Sequence, residues 1–374
     1  MIAHLVIIGF LWYLIGRHID RTKEKTYRIT TSSLTNKIEA PTPASSPPDP
    51  SLNVIIKDNQ INIARILPYN GKDTQIYEFR PRTFEEFISQ EHAKEQAKTI
   101  IKKVRRGMKG HLFLSARQGM GKTTFIQLLA NELHAKIINR VGRQLSDPDE
   151  IVNVINEING SQEANVIFFL DETDSCDKKS IKMLNSIIES FEISGKKIKP
   201  FIFAGASINK DVLIKNNPDF LDRIGNQIIF SPYSADNVLT ILKQYQTQLY
   251  PLDAISDNIF LIIATSCKFC PRIAISLLED FIVEKNMTKV LRNRKIIKDG
   301  LTDIDIKILA TLADAIRPMG SNAVALRAGL NERQYVYEFE PYLYEMGYIN
   351  RTPSRVISEK GKLTLKELKD KENA

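Results

Sequence analysis

Hydrophobic residues along the middle of the chain follow two patterns, which together predict an α/β domain. Residues His111 to Ser115 and Val166 to Leu170 form short apolar runs of the kind found in buried parallel strands. Between them, the apolar residues of Thr123 to Leu133 recur at helical spacing. A strand, a helix and a second strand in this order predict a parallel sheet with crossover helices.

The last seventy or so residues have a different pattern, which predicts a winged helix. Apolar residues recur at steps of three or four, as on one side of a helix. They are Ile304, Ile308, Leu312 and Ile316 in a first helix, and Val336, Phe339, Leu343 and Met346 in a last one. Residues 322–330 predict a short helix between these two, closed by Gly329. Residues 348–350 and 355–358 flank Thr352-Pro-Ser354 and predict a β-hairpin, the wing.

A phosphate-binding loop is predicted between the first strand and its helix, in the run Ala116-Arg-Gln-Gly-Met-Gly-Lys-Thr-Thr124. Gly119 and Gly121 allow the backbone N–H groups to approach phosphate oxygens, with Met120 between them and the helix N-terminus behind them. Lys122 would neutralise those oxygens, and the hydroxyl of Thr123, followed by Thr124, would bind Mg²⁺. The sequence therefore predicts ATP and Mg²⁺ as ligands, although Ala116 stands where the usual pattern has glycine.

A pair of carboxylates follows the second strand. Asp171 and Glu172 come directly after the apolar run 166–170, at the carboxyl end of the strand, where α/β sheets bind ligands. We expect Asp171 to assist the metal and Glu172 to orient or deprotonate the attacking water. The pair predicts hydrolysis in addition to binding.

Several segments, in this order, resemble the RuvB family of AAA+ Holliday-junction branch-migration motors. The resemblance covers about residues 76 to 365. It lies in residues 78–96, the phosphate loop, the Leu-Asp-Glu strand, Ala204-Gly-Ala-Ser207, Leu221-Asp-Arg-Ile-Gly225, Pro271-Arg-Ile-Ala274 and Tyr337-Glu-Phe-Glu-Pro-Tyr-Leu343.

The resemblance implies further site residues. It implies an arginine finger at Arg223, offered to the nucleotide of the next subunit in a homo-oligomeric ring, although a surface arginine is the alternative. It implies a sensor arginine at Arg272, which begins a helix, and a sensor hydroxyl at Ser207. The segment around the adenine is implied at Arg80, Pro81, Phe87 and Ile88.

Charge on the predicted winged helix indicates how it could meet DNA. Its last helix is acidic, with Glu332, Glu338, Glu340 and Glu345 against Arg333. The wing and its exit carry Arg351, Arg355, Lys360 and Lys362. We therefore expect Arg351 and Arg355, and not the last helix, to contact the phosphates of duplex or four-way-junction DNA.

The first residues differ from the rest of the chain. Residues 2–15 are apolar, and basic residues follow them, so a membrane anchor in a cytoplasmic protein is predicted. A helix that docks on a partner or on a membrane surface is the alternative, because 14 residues are short for a span. Residues 30–50 are rich in proline, serine and threonine, as in a flexible tether.

Together these patterns predict an AAA+ P-loop sheet domain, a helical lid and a C-terminal winged helix. The expected ranges are an anchor at 1–16, a flexible linker at 17–75, the large ATPase domain at 76–231, the lid at 232–299, the winged helix at 300–365 and a tail at 366–374. The chain has a net charge of +8, which suits nucleic acid and an anionic membrane equally.

Two departures from the RuvB pattern affect the expected partners. Residues 193–200 predict only a short turn where RuvB-like motors insert a longer hairpin that engages RuvA, and Thr173-Asp174 also differs. A RuvA-like partner is therefore in doubt, whereas ATP hydrolysis is not. The leading hypothesis is a DNA motor that drives branch migration. A membrane-tethered DNA-binding scaffold that uses ATP as an assembly switch, or a remodeller of proteins, is the alternative.

Overall fold

The computed structural model describes residues 52–57, 60–65, 80–193, 195–208, 213, 218–251, 253–351 and 354–372. The predicted anchor at 2–15 and most of the predicted tether lie outside these residues. Within the range 17–75, which was predicted as a flexible linker, Leu52–Lys57 (β1) and Gln60–Arg65 (β2) pair as an antiparallel hairpin. The linker prediction did not include this hairpin. Across the described residues, no helix combines the length and the apolar character that crossing a bilayer requires.

A parallel sheet forms the centre of the first domain, as the apolar runs predict. Its strands are Leu112–Ser115 (β3), Ala135–Val141 (β4), Asn165–Asp171 (β5), Ile202–Ser207 (β8) and Asn226–Ile229 (β9). They lie in the order β4-β5-β8-β3-β9, and every neighbouring pair is parallel. The strands that precede the phosphate loop and the acidic pair are therefore separated by β8 alone.

Helices cover both faces of this sheet. They are Glu91–Arg105 (α1), Lys122–Leu133 (α2), Pro148–Gly160 (α3), Lys178–Ser190 (α4) and Pro218–Ile224 (α5). Alternate side chains of β5 enter different cores: Phe168 packs with α3 and α4, whereas Phe169 packs on the side of α1 and α2. Burial on both faces explains why β5 is apolar throughout its centre.

The segment predicted as a short turn at 193–200 contains a small hairpin. Glu192–Ile193 (β6) and Lys196–Lys197 (β7) pair antiparallel over two residues each. The hairpin is short, in agreement with the spacing of the sequence.

Four helices follow the sheet and are here called the lid helices. They are Ala235–Leu249 (α6), Asp257–Ser266 (α7), Pro271–Glu284 (α8) and Met287–Asn293 (α9). The helix that was expected to begin at Arg272 begins one residue earlier, because Pro271 suits the first helical turn. Lid residues such as Leu242 and Leu277 share one continuous core with the α1 and α2 side of the sheet.

The C-terminal region has the helices and the wing that the sequence predicts. After the short strands Ile296–Lys298 (β10) and Leu301–Thr302 (β11), Asp303–Ala313 (α10) and Ser321–Ala328 (α11) form its first two helices. Ile349–Asn350 (β12) and Val356–Ile357 (β13) form the wing. The first helix ends before Ile316, which is fully exposed. Glu359–Glu372 (α14) is a helix through most of the range predicted as a tail, and Leu365 joins it to the core of this domain.

The third helix of the winged-helix domain runs from Glu332 to Glu345 in three pieces: Glu332–Gln334 (α12), a π-helical turn at Tyr335–Phe339, and Glu340–Glu345 (α13). Pro341 has no N–H to offer to the carbonyl of Tyr337, and the wider π turn lies where that α-helical hydrogen bond is lost.

One acidic residue of this third helix, Glu340, is not on an exposed face, contrary to the expectation. The side chain of Glu340 is only 2% exposed and forms an ion pair with both Nε and Nη2 of Arg355, at 2.5 and 3.1 Å. Glu345, at the end of the helix, keeps 34% of its side chain exposed, and partial burial raises the pKa of its carboxyl. Arg355, predicted as a DNA contact, closes the base of the wing, and its contact with DNA stays a prediction.

We expect Arg355→Ala to destabilise the winged helix. Removing the guanidinium leaves the buried carboxylate of Glu340 without its partner, at a cost of roughly 3 kcal/mol. Thermal and urea unfolding of the purified protein would measure this change in the free energy of unfolding. Arg351→Ala is the matched control, because Arg351 is exposed and should cost less than about 0.5 kcal/mol. Equal stability of the two variants would contradict this role of Arg355.

Candidate functional site

The carboxyl ends of three neighbouring strands bring the predicted site residues together. Ser115 of β3 pairs with Ser207 of β8, and the N–H of Ala116 donates to the carbonyl of Ser207 at 3.2 Å. On the other side of β8, Leu170 pairs with Gly205, so Asp171 follows at the same edge. The phosphate loop, the acidic pair and the sensor hydroxyl therefore lie at one edge of the sheet, as predicted.

Close contacts on two sides fix the phosphate loop. Gly121 caps α2 with a φ of 92°, and a Cβ there would lie 3.1 Å from the ring of Phe87. Gly119 has a φ of 75°, and its Cβ would lie 2.6 Å from Sγ of Cys270 and 2.9 Å from Cβ of Arg272. Both positions therefore need glycine, for the backbone conformation and for the space.

Lys122 is buried beneath the loop. Its Nζ donates to the carbonyl oxygens of Ala116 and Arg117 at 2.9 and 3.1 Å. Burial lowers the pKa of Lys122, and the charge of Asp171 opposes that change. An ammonium group has three donors, so one is left for an anion in the loop.

Arg272 of the lid adds a second positive charge at the same place. It is exposed at the start of α8, against Gly119, and its charge contributes to lowering the pKa of Lys122. Two cations at the N-termini of α2 and α8 repel each other unless an anion lies between them. The loop and the lid thus form a site for a strongly anionic group.

The acidic tip of β5 is held in a defined conformation. The N–H of Glu172 donates to Oδ1 of Asp171 at 2.9 Å, and Glu172 has a left-handed φ of 49°. Thr173 is buried and its hydroxyl bonds the carbonyl of Leu170 at 2.9 Å. The charges of Asp171 and Glu172 both raise the pKa of Lys122, so these carboxylates lie near the phosphate loop.

Magnesium would need other ligands in addition to an acidic side chain. Among the described residues, no group of three or more His, Cys, Asp or Glu side chains could hold a metal ion. Mg²⁺ is commonly bound by one or two protein oxygens together with phosphate oxygens and water. The carboxylate of Asp171 and the hydroxyl of Thr123 fit that type of site.

Ser207, the predicted sensor hydroxyl, is buried at the end of β8 and donates to Oδ1 of Asp174 at 2.6 Å. The other carboxylate oxygen of Asp174 accepts from the hydroxyl of Tyr337, at 2.7 Å, in the winged-helix domain. The sequence analysis noted Asp174 as a departure from RuvB but gave it no role.

Phe87 packs against the phosphate loop and its ring is buried. Its side chain is 4% exposed and packs edge-on against Phe125 and Phe230. Pro81 and Ile88 are half-buried, and Arg80 is exposed. The proposed adenine contacts of this segment stay a prediction.

Two further residues tie the loop to neighbouring segments, and the sequence analysis missed both. The hydroxyl of Tyr233 donates to the carbonyl of Met120 at 3.4 Å. Gln90 exchanges hydrogen bonds with the backbone of Ser231, at 2.7 and 2.8 Å. A tyrosine and a glutamine do not by themselves indicate a phosphate site. Only the Ile-Ser-Gln and Ser-Pro-Tyr segments, which flank the sheet domain, could have suggested these two residues.

Arg223 lies apart from this cluster. It is on α5, its side chain is 38% exposed, and it forms an ion pair with Glu189 at the end of α4. No ion pair or hydrogen bond joins it to the phosphate loop within the part of the chain that the structure describes. Its role at the nucleotide of another subunit stays a prediction.

The wing presents fewer basic side chains than predicted. Arg351 is exposed and its guanidinium stacks 4.4 Å from the ring of Tyr344. Lys360 bonds the carbonyl of Met346, and Lys362 pairs with Glu359, both at 2.7 Å. Of the two arginines predicted to contact DNA, Arg351 is the one at an open surface.

We expect Gly119→Ala to weaken ATP binding about tenfold, or 1.4 kcal/mol, because the new methyl group would push Cys270 and Arg272 away from the loop. Titration with a fluorescent ATP analogue measures the dissociation constant. Gly107→Ala is the matched control, since Gly107 has the same φ of 75° but nothing within 4 Å of the added Cβ. If both variants bound ATP as the wild type does, the lid would not be part of the site.

Comparisons with known proteins agree with this geometry. Residues 79–198 match the family described as the Holliday junction DNA helicase RuvB P-loop domain, and residues 298–366 match the RuvB C-terminal winged helix domain. The first match lies at the N-terminal end of the region that resembles RuvB, and the second match lies at its C-terminal end.

Complete relatives align over most of their length. The RuvB subunit of the Holliday junction branch migration complex from Fervidobacterium nodosum is 27% identical over 332 residues, 81% of this chain and 93% of the relative. The subunit from Lactococcus lactis is 29% identical over 300 residues, 73% of this chain and 87% of the relative. The solved structure of the Thermotoga maritima RuvB Holliday junction branch migration motor has a TM-score of 0.68 and 28% identity, covering 77% of this chain and 98% of that one. The chain is therefore a RuvB-like AAA+ protein, with a RuvB P-loop domain and a RuvB winged-helix domain.

Proposed function

We propose that this protein is an ATP-driven motor that moves duplex DNA and drives branch migration at four-way junctions. The observation that carries the proposal is the pair of cations, Lys122 and Arg272, which meet at two helix N-termini opposite the carboxylates that follow β5. The same chain carries the RuvB winged-helix domain, and its relatives are named as subunits of the Holliday junction branch migration complex.

Each residue of the site has a separate task in this proposal. Bound MgATP supplies the anhydride whose hydrolysis releases free energy. Lys122 and Arg272 neutralise phosphate charge, with Arg272 joining the lid to the nucleotide. Asp171 and Thr123 hold the metal ion. Glu172 orients the attacking water and accepts its proton.

The ring is proposed from the place of Arg223. This arginine is near the surface and paired with Glu189 of its own chain, and within the described part of the chain no hydrogen bond or ion pair joins it to the phosphate loop. An arginine that acts on the nucleotide must then reach a neighbouring subunit, where its charge stabilises the transition state. A homo-oligomeric ring provides such a neighbour.

Contact with DNA is proposed for Arg351 on the wing. A contact with phosphates that is independent of sequence suits a protein that moves along duplex DNA. The third helix is less suitable because it packs against the ATPase domain through Arg333, Tyr337 and Glu345. A RuvA-like partner is not part of the proposal, because the β6–β7 hairpin that would bind it is short. Membrane attachment through residues 2–15 is proposed from the sequence alone.

Lys122→Ala should lower ATP turnover at least a hundredfold, roughly 3 kcal/mol in transition-state stabilisation, because it removes the ammonium group that is bonded beneath the loop. Lys98→Ala, which removes an exposed lysine of α1, should leave turnover unchanged. Turnover is measured by phosphate release with and without four-way-junction DNA. Turnover that survives in Lys122→Ala would remove the ATPase assignment, and turnover that ignores DNA would favour the scaffold with an ATP switch.

Mixing two inactive variants tests the role of Arg223. Arg223→Ala keeps an intact phosphate loop and Lys122→Ala keeps an intact arginine, so some interfaces of a mixed ring combine both functional halves. We expect each variant alone to be inactive and the mixture to recover a fraction of the wild-type turnover. Glu189→Gln is the control, since it removes the partner of Arg223 within the chain but keeps the arginine. Mixtures without any recovery would contradict action between subunits.

A further inference from the structure

The third helix of the winged-helix domain forms three polar contacts with two segments of the ATPase site. Nη2 of Arg333 lies 3.3 Å from Oε2 of Glu172, and the hydroxyl of Tyr337 lies 2.7 Å from Oδ2 of Asp174. At the other end of the helix, Oε2 of Glu345 lies 3.1 Å from Nε of Arg117, within the phosphate loop. One helix of the DNA-binding domain therefore reaches both the phosphate loop and the segment after β5.

The contact with Glu172 fixes one oxygen of its carboxylate. Nη2 of Arg143, in the segment after β4, lies 3.6 Å from Oε2, the same oxygen that faces Arg333. A carboxylate that is held at one oxygen by two cations can still accept a hydrogen bond from water with its other oxygen.

Glu172 needs such support because little else restrains its side chain. The residue has a left-handed φ of 49°, and its side chain is 31% exposed at the edge of the sheet. A long carboxylate side chain in such a position can adopt several rotamers. Arg143 and Arg333 restrict those rotamers from two sides.

Tyr337 acts on the second polar group of the site through Asp174. The carboxylate of Asp174 accepts from Ser207 with Oδ1 and from Tyr337 with Oδ2, so a continuous chain of hydrogen bonds joins the end of β8 to the winged helix. Burial, together with the neighbouring Asp174, raises the pKa of Tyr337, so its hydroxyl keeps its proton and donates.

The irregular form of the third helix places these two side chains. Tyr337 lies inside the π-helical turn, and Arg333 lies one turn before it, in α12. A π turn changes the angle around the helix axis between side chains before the turn and side chains within it, relative to a regular α-helix. The π turn therefore lies at the point where the helix contacts Glu172 and Asp174.

We propose that Arg333 and Tyr337 are positioning residues of the ATPase site, through which the winged-helix domain sets the geometry of Glu172 and of the Asp174–Ser207 pair. This inference rests on the proposed ATPase activity and deepens it. The DNA-binding domain completes the hydrolytic site of its own chain, so a change in its position changes the rate of the chemical step.

Steady-state kinetics of ATP hydrolysis by the full chain, without DNA, test the proposal. We expect Arg333→Ala and Tyr337→Phe each to lower kcat roughly three- to tenfold with KM for ATP within about twofold, because orientation of the water is lost and nucleotide binding is not. Arg333→Lys should recover part of the loss, since an ammonium group can still pair with Oε2. Arg327→Ala, which removes an exposed arginine of the same domain, should match the wild type.

Thermal unfolding of each variant shows whether the domain is still folded. A folded Arg333→Ala and a folded Tyr337→Phe with the wild-type kcat would overturn the positioning role, while the proposed activity would stand. A kcat that rises in these variants would also overturn it, because the contact would then be a restraint. A wild-type protein that binds ATP but does not hydrolyse it would instead overturn the proposed function and the inference with it.

Discussion

The whole arrangement depends on charge at one edge of the parallel sheet. The strand order puts β3 and β5 on either side of β8, so Lys122 and Asp171 must lie close together. The lid then adds Arg272 against Gly119, and the cations at this place repel each other in the absence of an anion. Binding of a triphosphate with its metal ion would remove that repulsion and join sheet and lid, which is how nucleotide could control the position of one domain against another.

The winged helix extends this control to the region that is expected to meet DNA. Its third helix lies against the ATPase site through Arg333 and Tyr337, and its wing exposes Arg351 on a separate surface. Arg355 and Glu340 hold the base of the wing to that helix. A force on the wing can therefore be transmitted through this helix to Glu172.

The sequence predicted the elements whose signals are local. The phosphate loop and the acidic end of β5 were correctly brought to one edge because strand–loop–helix patterns and the parallel sheet dictate it. The position of Arg272 came from the resemblance to RuvB. Contacts between distant segments were not predictable: Asp174 and Tyr337 are separated by 163 positions. Glu340 and Arg355 were misjudged because helical spacing does not show which charged residue is buried with a partner. The helix at 359–372 was missed because its sequence is mostly polar.

A structure of the protein with Mg²⁺ and a non-hydrolysable ATP analogue tests the central claim most directly. The account predicts the triphosphate between Gly119 and Thr123, with Nζ of Lys122 and the guanidinium of Arg272 on its oxygens and Asp171 at the metal ion. It also predicts a water beside Oε1 of Glu172, with Arg333 still on Oε2. A nucleotide bound elsewhere, or bound in the loop while Asp171 and Glu172 face another cavity, would contradict the account.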